Sequence, residues 1–257
     1  MTKKDITHSL EKIVDISKET IVEKRQVENN NNKIYIVVLY STIIQYAQAV
    51  IGSLKSNDLI AIPTVFRSLF EAYIDLINLC KYENYHCVLY ANYLGERIKM
   101  LEATFKNPKN PYFKDTIEQI NDIGGEIKKL RSKLNEAQKE ISKFDGDVKQ
   151  IKTRFRLAGL EEIYTGIYKL LCQDSHNDLL RLESRHLKDS EIGLTVSMNT
   201  NWDLKDVAPH ILTTIGIIKM SLEKVFEKLE YGEPKEYLNQ IESNEEDIKP
   251  YLGREYT

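Results

Sequence analysis

The chain has 257 residues, of which 42% are hydrophobic and 29% charged, and its formal net charge is -3. These values are typical of a soluble globular protein and exclude a broad electrostatic attraction to nucleic acid, so any nucleic-acid site must be local. The three cysteines lie in apolar helical contexts and lack the spacing of metal ligands, which predicts small buried side chains in a reducing compartment. Because no signal-peptide core begins the chain and polar residues interrupt its most apolar run, we expect a cytoplasmic protein that does not enter a membrane.

Hydrophobic residues recur at helical spacing along almost the whole chain, which predicts an all-α, multi-helix bundle. Asn57 or Asp58 can cap the third helix, because both side chains accept hydrogen bonds from a first helical turn, whereas Pro63, which is tolerated best in the first turns, favours a later start. The fourth helix should end at a loop rich in asparagine and proline. The first four helices are predicted at roughly residues 4–27, 33–55, 58–81 and 84–106.

The next segment has the clearest periodicity in the sequence. Two apolar series recur every seven residues: Ile120, Ile127, Leu134, Ile141 and Val148, with Ile123, Leu130, Ala137, Phe144 and Ile151. This is the pattern of a coiled-coil seam, so we predict one long helix over residues 112–151 that packs antiparallel on the fourth helix, forming a hairpin over about 84–151. The later helix would be roughly 55 to 60 Å long against about 33 Å for its partner. Its uncovered seam needs a third helix or another subunit, and a homodimer is the simplest closure.

The predicted elements after residue 151 are shorter. A helix should cover about residues 160–175, residues 193–198 can form a short extended piece, and a final helix should run from about 204 to 229. The remaining residues are acidic and loosely patterned. We therefore predict a single helical domain over residues 1–231, with the hairpin as an extension within it, and a loosely packed acidic tail over residues 232–257.

One narrow face of the third helix is polar, although the rest of that helix is apolar. This face is either the solvent side, with Arg67 and Glu71 as a surface pair of little energetic value, or one wall of a polar cleft. An arginine ahead of a glutamate is the less favourable order for helix stability, and a guanidinium suits fixed recognition of a phosphate or carboxylate. The full stripe comprises Thr64, Arg67, Ser68, Glu71, Asp75 and Asn78.

The helix over residues 160–175 ends in a Ser-His pair. Regular continuation of its buried stripe brings Ser175 onto the apolar face, and His176 lies about 100° around the helix. Histidine is well suited to proton transfer near neutral pH, but at a helix end it is more often a cap or a core hydrogen-bond donor. Tyr164 and Tyr168 are likewise more often core residues with a bonded hydroxyl. Glycine-rich phosphate loops, zinc-protease helices and nucleophile elbows are absent from the sequence, which removes the commonest enzyme classes.

The chain resembles a bacterial all-helical family known only as a domain of unknown function. Three features carry the resemblance: the segment RSLFE (residues 67–71) on the third helix, the predicted coiled coil, and the segment Y-x-x-x-Y-x-x-L-C-x-x-S-H (residues 164–176). Family members are distantly similar to the HEPN superfamily, whose helical domains include metal-independent ribonucleases of toxin and phage-defence systems as well as many inactive members. The resemblance covers roughly residues 35–225, and its hallmark positions here are Arg67, Glu71, Tyr168, Ser175 and His176.

Ribonucleases of that superfamily carry an arginine followed, after four to six residues, by a histidine. The segment RLESRH, from Arg181 to His186, matches this pattern, although so loose a pattern also arises by chance. The resemblance implies a ribonuclease or toxin that uses neither metal nor cofactor. In it His176 or His186 would take the proton of the ribose 2′-hydroxyl, and Arg67 or Arg181 would stabilise the phosphorane-like transition state. Glu71 would orient an arginine. Because an unpaired carboxylate on so apolar a helix is costly, we expect Glu71 to contact Arg67 or a neighbouring tyrosine, and the side chains of Arg67 and His176 to meet directly or through one water.

A basic run near residue 150 is the candidate site for RNA backbone. A solvated helix end is the more common explanation for such a run of charges. A toxin would also have an antitoxin or another defence protein as its partner. The run comprises Lys149, Lys152, Arg154 and Arg156, with Phe155 between the arginines.

The competing hypothesis is a helical dimerisation or ligand-binding module without catalytic activity. In it Arg67, Glu71 and His176 form a buried network that fixes one packing arrangement at some cost in stability. Arg67 and His176 sealed from solvent would favour the module, and an open basic cleft that holds both would favour the ribonuclease.

Overall fold

The computed structural model describes residues 3–22, 30–110, 120, 122–175, 178–190, 193–197 and 202–252. These residues are almost wholly helical, which confirms the all-α class predicted from the hydrophobic spacing. The helices are α1 (Lys3–Val22), α2 (Asn31–Ser56), α3 (Ala61–Lys81), α4 (His86–Lys106), α5 (Ile123–Ile141), α6 (Ile151–Ala158), α7 (Glu161–Ile163), α8 (Lys169–Ser175), α9 (Leu179–His186), α10 (Leu204–Leu229) and α11 (Lys235–Leu252). A 3₁₀ turn (Glu83–Tyr85) precedes α4, a π-helical segment (Tyr164–Tyr168) joins α7 to α8, and strands β1 (Leu187–Ser190) and β2 (Gly193–Val196) follow α9.

Five helices supply most of the main hydrophobic core in the described residues. α2 packs against α1 and α3, α10 contacts all three of these helices, and α11 packs against α1 and α10. Their inward faces are fully buried, for example at Ile43 of α2, Leu69 of α3 and Ile215 of α10. This burial stabilises the bundle, because each such side chain contributes about 1.5–3 kcal/mol when it leaves water.

The turn between α2 and α3 differs from the prediction. Asn57 has a left-handed backbone, with a φ of 61°, and donates its N–H to the carbonyl of Leu54 at the end of α2. α3 follows Ile60, which makes no side-chain cap. The expectation that Asn57 or Asp58 caps α3 is therefore wrong. Asparagine tolerates the left-handed conformation that commonly ends a helix, so Asn57 closes α2 instead.

α2 is the one described helix whose length and composition would let it cross a membrane. Its inward face includes Ile36, Tyr40 and Leu54, all fully buried, and α1, α3 and α10 pack around it. A core helix and a membrane span satisfy the same test of length and hydropathy. The cytoplasmic location therefore stays a prediction.

α4 and α5 pack side by side and run antiparallel. Arg131 pairs with Glu102 near the end of α4, and Asn84, just before α4, donates a hydrogen bond to Glu140 near the end of α5. The two segments that the heptad pattern brings together are thus neighbours, while their supercoiling stays a prediction. A small second core joins them through Leu94, Ile98, Leu101 and Leu130.

The single helix predicted over residues 112–151 is wrong in its extent. α5 begins at Ile123 and ends at Ile141, and residues 111–119 and 121 lie outside the described part of the chain. After α5 the chain turns through Gly146, whose φ of 83° is a conformation that glycine adopts at little cost.

The heptad spacing continues through this turn because the turn packs on the same core. Val148 is fully buried, and the ring of Phe144 meets Tyr82 and Tyr85 edge-on at centroid distances of 5.6 and 6.1 Å. Apolar residues in a loop can therefore extend a helical pattern without extending the helix.

The observed length of α5 removes the argument that an uncovered seam calls for a homodimer. α5 has 19 residues and α4 has 21, so within the described residues the two helices match in length and leave no long seam uncovered. A homodimer stays a prediction, but without this support.

Residues 235–252 of the acidic C-terminal region form a packed helix and not a loosely packed tail. Ile241, Ile248 and Leu252 of α11 are buried, and the helix packs against α1 and α10. Lys219 of α10 also pairs with Glu242 and Glu245 of α11, at 2.9 and 3.1 Å. The prediction is wrong because apolar residues at helical spacing make one inward face, whatever the charge of the outer face.

Candidate functional site

The polar stripe of α3 passes from the surface into the protein. Thr64 is exposed, Arg67 and Glu71 are half-buried, and Asp75 and Asn78 are buried. α6 and the helical segment through α8 pack beside it and supply the partners of its polar groups. The stripe is therefore not a plain solvent face, because it is partly exposed at Arg67 and Glu71 and buried against neighbouring elements at Asp75 and Asn78.

Arg67, Glu71 and Tyr168 form a hydrogen-bonded cluster on the partly exposed section of this stripe. Nε of Arg67 donates to Oε1 of Glu71 over 3.1 Å, and the hydroxyl of Tyr168 donates to the same oxygen over 2.6 Å. The guanidinium carbon lies 5.5 Å from the centre of the Tyr168 ring, within the range of a cation–π contact. The prediction that Glu71 contacts Arg67 or a tyrosine is confirmed, because a carboxylate on so apolar a helix needs partners.

This cluster is open to solvent on one side. The side chains of Arg67 and Glu71 keep 26% and 32% of their surface exposed. Glu71 accepts from Nε, so Nη1 and Nη2 of Arg67 are donors that this carboxylate does not use. A guanidinium held in this way can present its remaining N–H groups to an anion.

The π-helical segment aims Tyr168 at Glu71. The helix makes one wider turn there, a feature that is frequent at functional sites. The rings of Tyr164 and Tyr168 stack with their centroids 5.5 Å apart, and the ring of Phe155 lies 4.9 Å from that of Tyr168. Phe155 is fully buried and also meets Phe70 of α3 edge-on. Aromatic packing therefore holds the Tyr168 hydroxyl in place.

α8 continues from Tyr168 along α3 in the antiparallel direction. Tyr168 lies beside Glu71, and Cys172, four residues later, interacts electrostatically with Arg67, which precedes Glu71 by four. Ser175 is the last residue of α8, and its side chain lies outside what the structure describes. His176 also lies outside the described residues, so its predicted contact with Arg67 stays a prediction.

A second cluster is buried one turn further along α3. Nη1 of Arg154 lies 2.8 and 3.0 Å from the two carboxylate oxygens of Asp75, and the Tyr85 hydroxyl donates to Asp75 over 2.6 Å. The Asn78 amide donates to the backbone carbonyl of Arg154 over 3.0 Å. The Arg154 side chain is only 14% exposed. Its predicted place in a solvent-facing run for RNA is therefore wrong, because it balances a buried carboxylate.

Burial and pairing shift the pKa values of both clusters. Burial raises the pKa of Tyr168, and the hydrogen bond to Glu71 raises it further, so this tyrosine is a neutral donor at physiological pH. Burial lowers the pKa of Arg67, but its contacts with Tyr168, Cys172 and Glu71 outweigh this effect and raise it.

In the second cluster, burial and charge pairing have opposite effects on the pKa values of Asp75 and Arg154. Burial is the largest effect on Asp75 and raises its pKa, although Arg154 and Tyr85 act to lower it. Burial lowers the pKa of Arg154, but the Asp75 carboxylate outweighs burial and raises it. Donors from both Arg154 and Tyr85 converge on the Asp75 oxygens, a geometry that favours the ionised pair.

The exposed basic side chains of α6 have acidic neighbours. Lys152 lies 3.7 Å from Glu161, and Arg156 lies 2.6 Å from Asp145. Exposed pairs of this kind are weak and exchange readily with other ions. A role for Lys152 or Arg156 in binding RNA stays a prediction.

The RLESRH motif lies in α9, which contacts β1. Nδ1 of His186 donates to the Ser197 carbonyl over 3.0 Å, and the Ser197 N–H donates to the His186 carbonyl over 2.7 Å. His186 therefore holds the base of the β-hairpin together. The side chain of Arg181 lies outside what the structure describes.

A family model described as "Family of unknown function (DUF5677)" matches residues 33–194. This range is more than half of the chain. The protein belongs to the DUF5677 family. None of the curated proteins and none of the solved structures matches the chain. The part that matches DUF5677 contains Arg67, Glu71 and Tyr168, together with Asp75 and Arg154, so both polar clusters lie within the family's region.

In this DUF5677 protein, Tyr168→Phe should lower the free energy of unfolding by about 1 kcal/mol. The substitution removes one hydrogen bond to the Glu71 carboxylate, which is partly solvated and still has Arg67 as a partner. Tyr164→Phe is the matched control, since the same hydroxyl is lost one turn earlier, and it should change stability by less than about 0.5 kcal/mol. Urea unfolding measures both. Equal losses would show that the Tyr168–Glu71 hydrogen bond contributes nothing specific.

Proposed function

We propose that this protein is a metal-independent endoribonuclease of a bacterial defence system, acting as a toxin in the cytoplasm. The observation that supports the proposal is the half-exposed guanidinium of Arg67, which Glu71 orients through Nε and Tyr168 covers with its ring. Such a group is suited to a phosphodiester, because it offers planar paired donors without further reorganisation. An antitoxin or another defence protein would be its partner.

In the proposed reaction His176 acts as general base and takes the proton of a ribose 2′-hydroxyl. The 2′-oxygen attacks the neighbouring phosphorus, a cyclic phosphate forms, and the 5′-oxygen of the next nucleotide leaves and takes up a proton. Arg67 stabilises the negative charge that builds up on the phosphoryl oxygens. His176 follows α8 directly in sequence, and α8 packs against α3, which carries Arg67.

Glu71 and Tyr168 act through Arg67 in this proposal. Glu71 holds Nε, and the neutral Tyr168 hydroxyl completes the coordination of the same carboxylate oxygen. Both are positioning residues. Lys152 and Arg156 would attract RNA backbone by exchanging their acidic neighbours for phosphate.

The test uses the purified full chain and an end-labelled single-stranded RNA that contains all four nucleotides, in buffer with EDTA. We expect cleavage of the RNA but not of the matching DNA, which lacks the 2′-nucleophile. Arg67→Ala and His176→Ala should each reduce the cleavage rate by about a hundredfold or more. Their thermal unfolding midpoints should stay within a few degrees of the wild type, since Arg67 is half-buried.

Matched controls are Arg131→Ala and His8→Ala, which alter exposed residues of α5 and α1 and should leave cleavage unchanged. Loss of cleavage with His186→Ala but not with His176→Ala would assign the reaction to the RLESRH motif instead. An RNA that stays intact with the wild-type protein, in EDTA and also with added Mg²⁺, would contradict the ribonuclease proposal.

A non-catalytic helical module is the second candidate. It is favoured by one observation, that Arg67 and Arg154 each have a carboxylate partner within the fold. In that case the network fixes the packing of α6 and α8 on α3. Arg67→Ala would then unfold the protein well below the wild-type midpoint, without any cleavage activity to lose.

A further inference from the structure

One stretch of the chain exposes far more apolar surface than the rest. Among the described residues twelve large hydrophobic side chains are exposed, and six of them lie between residues 167 and 196. Exposed large apolar side chains concentrated in one part of a chain are a candidate interaction site. α9, which holds two of the six, contacts β1. The six are Ile167, Leu170, Leu179, Leu180, Leu194 and Val196, and the last four are each 69% to 73% exposed.

Within the described residues, the β-hairpin in this stretch has no third strand, and no residue of β2 is buried. β1 and β2 pair antiparallel, with Leu187 opposite Val196 and Ser190 opposite Gly193, and all four residues of β2 are exposed. A two-stranded hairpin is marginally stable in water without a third strand or a buried face. Edge strands that remain unpaired usually carry lysine, proline or a bulge. β2 reads Gly-Leu-Thr-Val and contains no lysine or proline.

The register shows which backbone groups of β2 point away from β1. The Ser197 N–H donates to the His186 carbonyl, so these two residues form a hydrogen-bonded pair. Opposite residues alternate between hydrogen-bonded and non-hydrogen-bonded pairs along an antiparallel ladder. Val196 and Leu194 therefore occupy non-hydrogen-bonded positions relative to β1. Their N–H and C=O groups point outward, on a strand whose side chains are exposed.

We infer that the outer edge of β2 pairs with the β2 of a second copy of this chain. The two hairpins join as a four-stranded antiparallel sheet with its twofold axis at Thr195. In this register Leu194 of each copy faces Val196 of the other, and each pair exchanges two N–H···O=C hydrogen bonds, which makes four in all. Leu194 and Val196 supply both the outward backbone groups and the exposed apolar side chains. One pairing therefore satisfies the hydrogen bonds and covers the apolar surface.

A second copy fits this edge because the edge is complementary to itself. An antiparallel strand pairs with its own copy by a twofold rotation, and Leu194 and Val196 are placed symmetrically about Thr195. The two cross-strand Leu–Val pairs cover each other on one face of the sheet. The exposed Leu179 and Leu180 on the neighbouring α9 extend the apolar area that a second copy can cover.

The first test measures the mass of the full chain by light scattering at micromolar concentration. The wild type should have twice the monomer mass of 29.9 kDa. Val196→Lys should weaken the dimer about tenfold or more, because it places a charge opposite Leu194 twice. Val38→Lys is the matched control, since Val38 of α2 is also exposed, and it should leave the dimer intact.

The second test does not depend on how well a lysine variant folds. The twofold axis brings the two Thr195 Cα atoms to about 4.5 Å, within the span of a disulfide. Thr195→Cys should therefore form a covalent dimer on mild oxidation, whereas Val38→Cys and the wild type should not. A wild type that is monomeric, alone or while bound to a different protein, would overturn the inference. A dimer that Val196→Lys does not weaken and Thr195→Cys does not crosslink would also overturn it.

Discussion

Arg154→Ala is expected to lower the free energy of unfolding by about 3–5 kcal/mol, because it leaves the carboxylate of Asp75 buried without a cation. Nη1 of Arg154 lies within 3.0 Å of both carboxylate oxygens, and the Asp75 side chain is only 10% exposed. Tyr85 can still donate to Asp75, but one hydroxyl does not balance a buried charge. Urea unfolding followed by circular dichroism measures the loss.

Arg156→Ala is the matched control for this prediction. It removes the same side chain two residues later on α6, where the guanidinium pairs with the exposed Asp145. An exposed pair of this kind contributes at most about 1 kcal/mol. The double variant Asp75→Ala/Arg154→Ala should lose less than the sum of the two single variants, since each removes the same ion pair. Similar losses for Arg154→Ala and Arg156→Ala would contradict the assignment of a buried pair.

Phe155→Ala is expected to cost about 3–5 kcal/mol, the range for removing a buried aromatic ring. The ring is fully buried and lies against Phe70 of α3, Tyr164 and Tyr168, so it joins three elements at one point. Its loss should also release Tyr168 from its position beside Glu71. Cleavage of RNA at a temperature well below the unfolding midpoint should therefore fall in this variant, if the proposed reaction is correct.

Phe105→Ala provides the matched control for the ring. Phe105 lies near the end of α4 and is 66% exposed, so its removal should change the free energy of unfolding by about 0.5 kcal/mol or less. The comparison separates the loss of a buried ring from the loss of any phenylalanine. A small effect of Phe155→Ala would mean that the aromatic cluster is not what fixes α6 and the π-helical segment on α3.

The candidate site was only partly predictable from the sequence. The stripe from Thr64 to Asn78 follows from helical spacing alone, and the need of Glu71 for a partner follows from the cost of burying a charge. The identity of that partner could be narrowed to Arg67 or a tyrosine. The partner of Asp75 could not be found in this way, since Arg154 and Arg156 have similar neighbours in the sequence.

The heptad series shows where a local pattern misleads. Leu134 and Ile141 lie on α5 as the spacing predicts, but Phe144 and Val148 continue the series from a turn. The spacing of apolar residues indicates which residues face the core. A turn that packs on the core can show the same spacing as a helix. Gly146, with its left-handed backbone, was the signal that the helix ends.

The sequence by itself determined the all-α class, most of the helices and the polar stripe of α3, because each depends on the spacing of residues near one another in the chain. The tertiary structure alone decided that Arg154 turns inward to Asp75, that α11 packs on α1, and that Tyr168 reaches Glu71 from 97 positions away. These contacts join residues far apart in the chain. Which of them form depends on how whole helix faces compete for the same core, and local spacing carries no information about that competition.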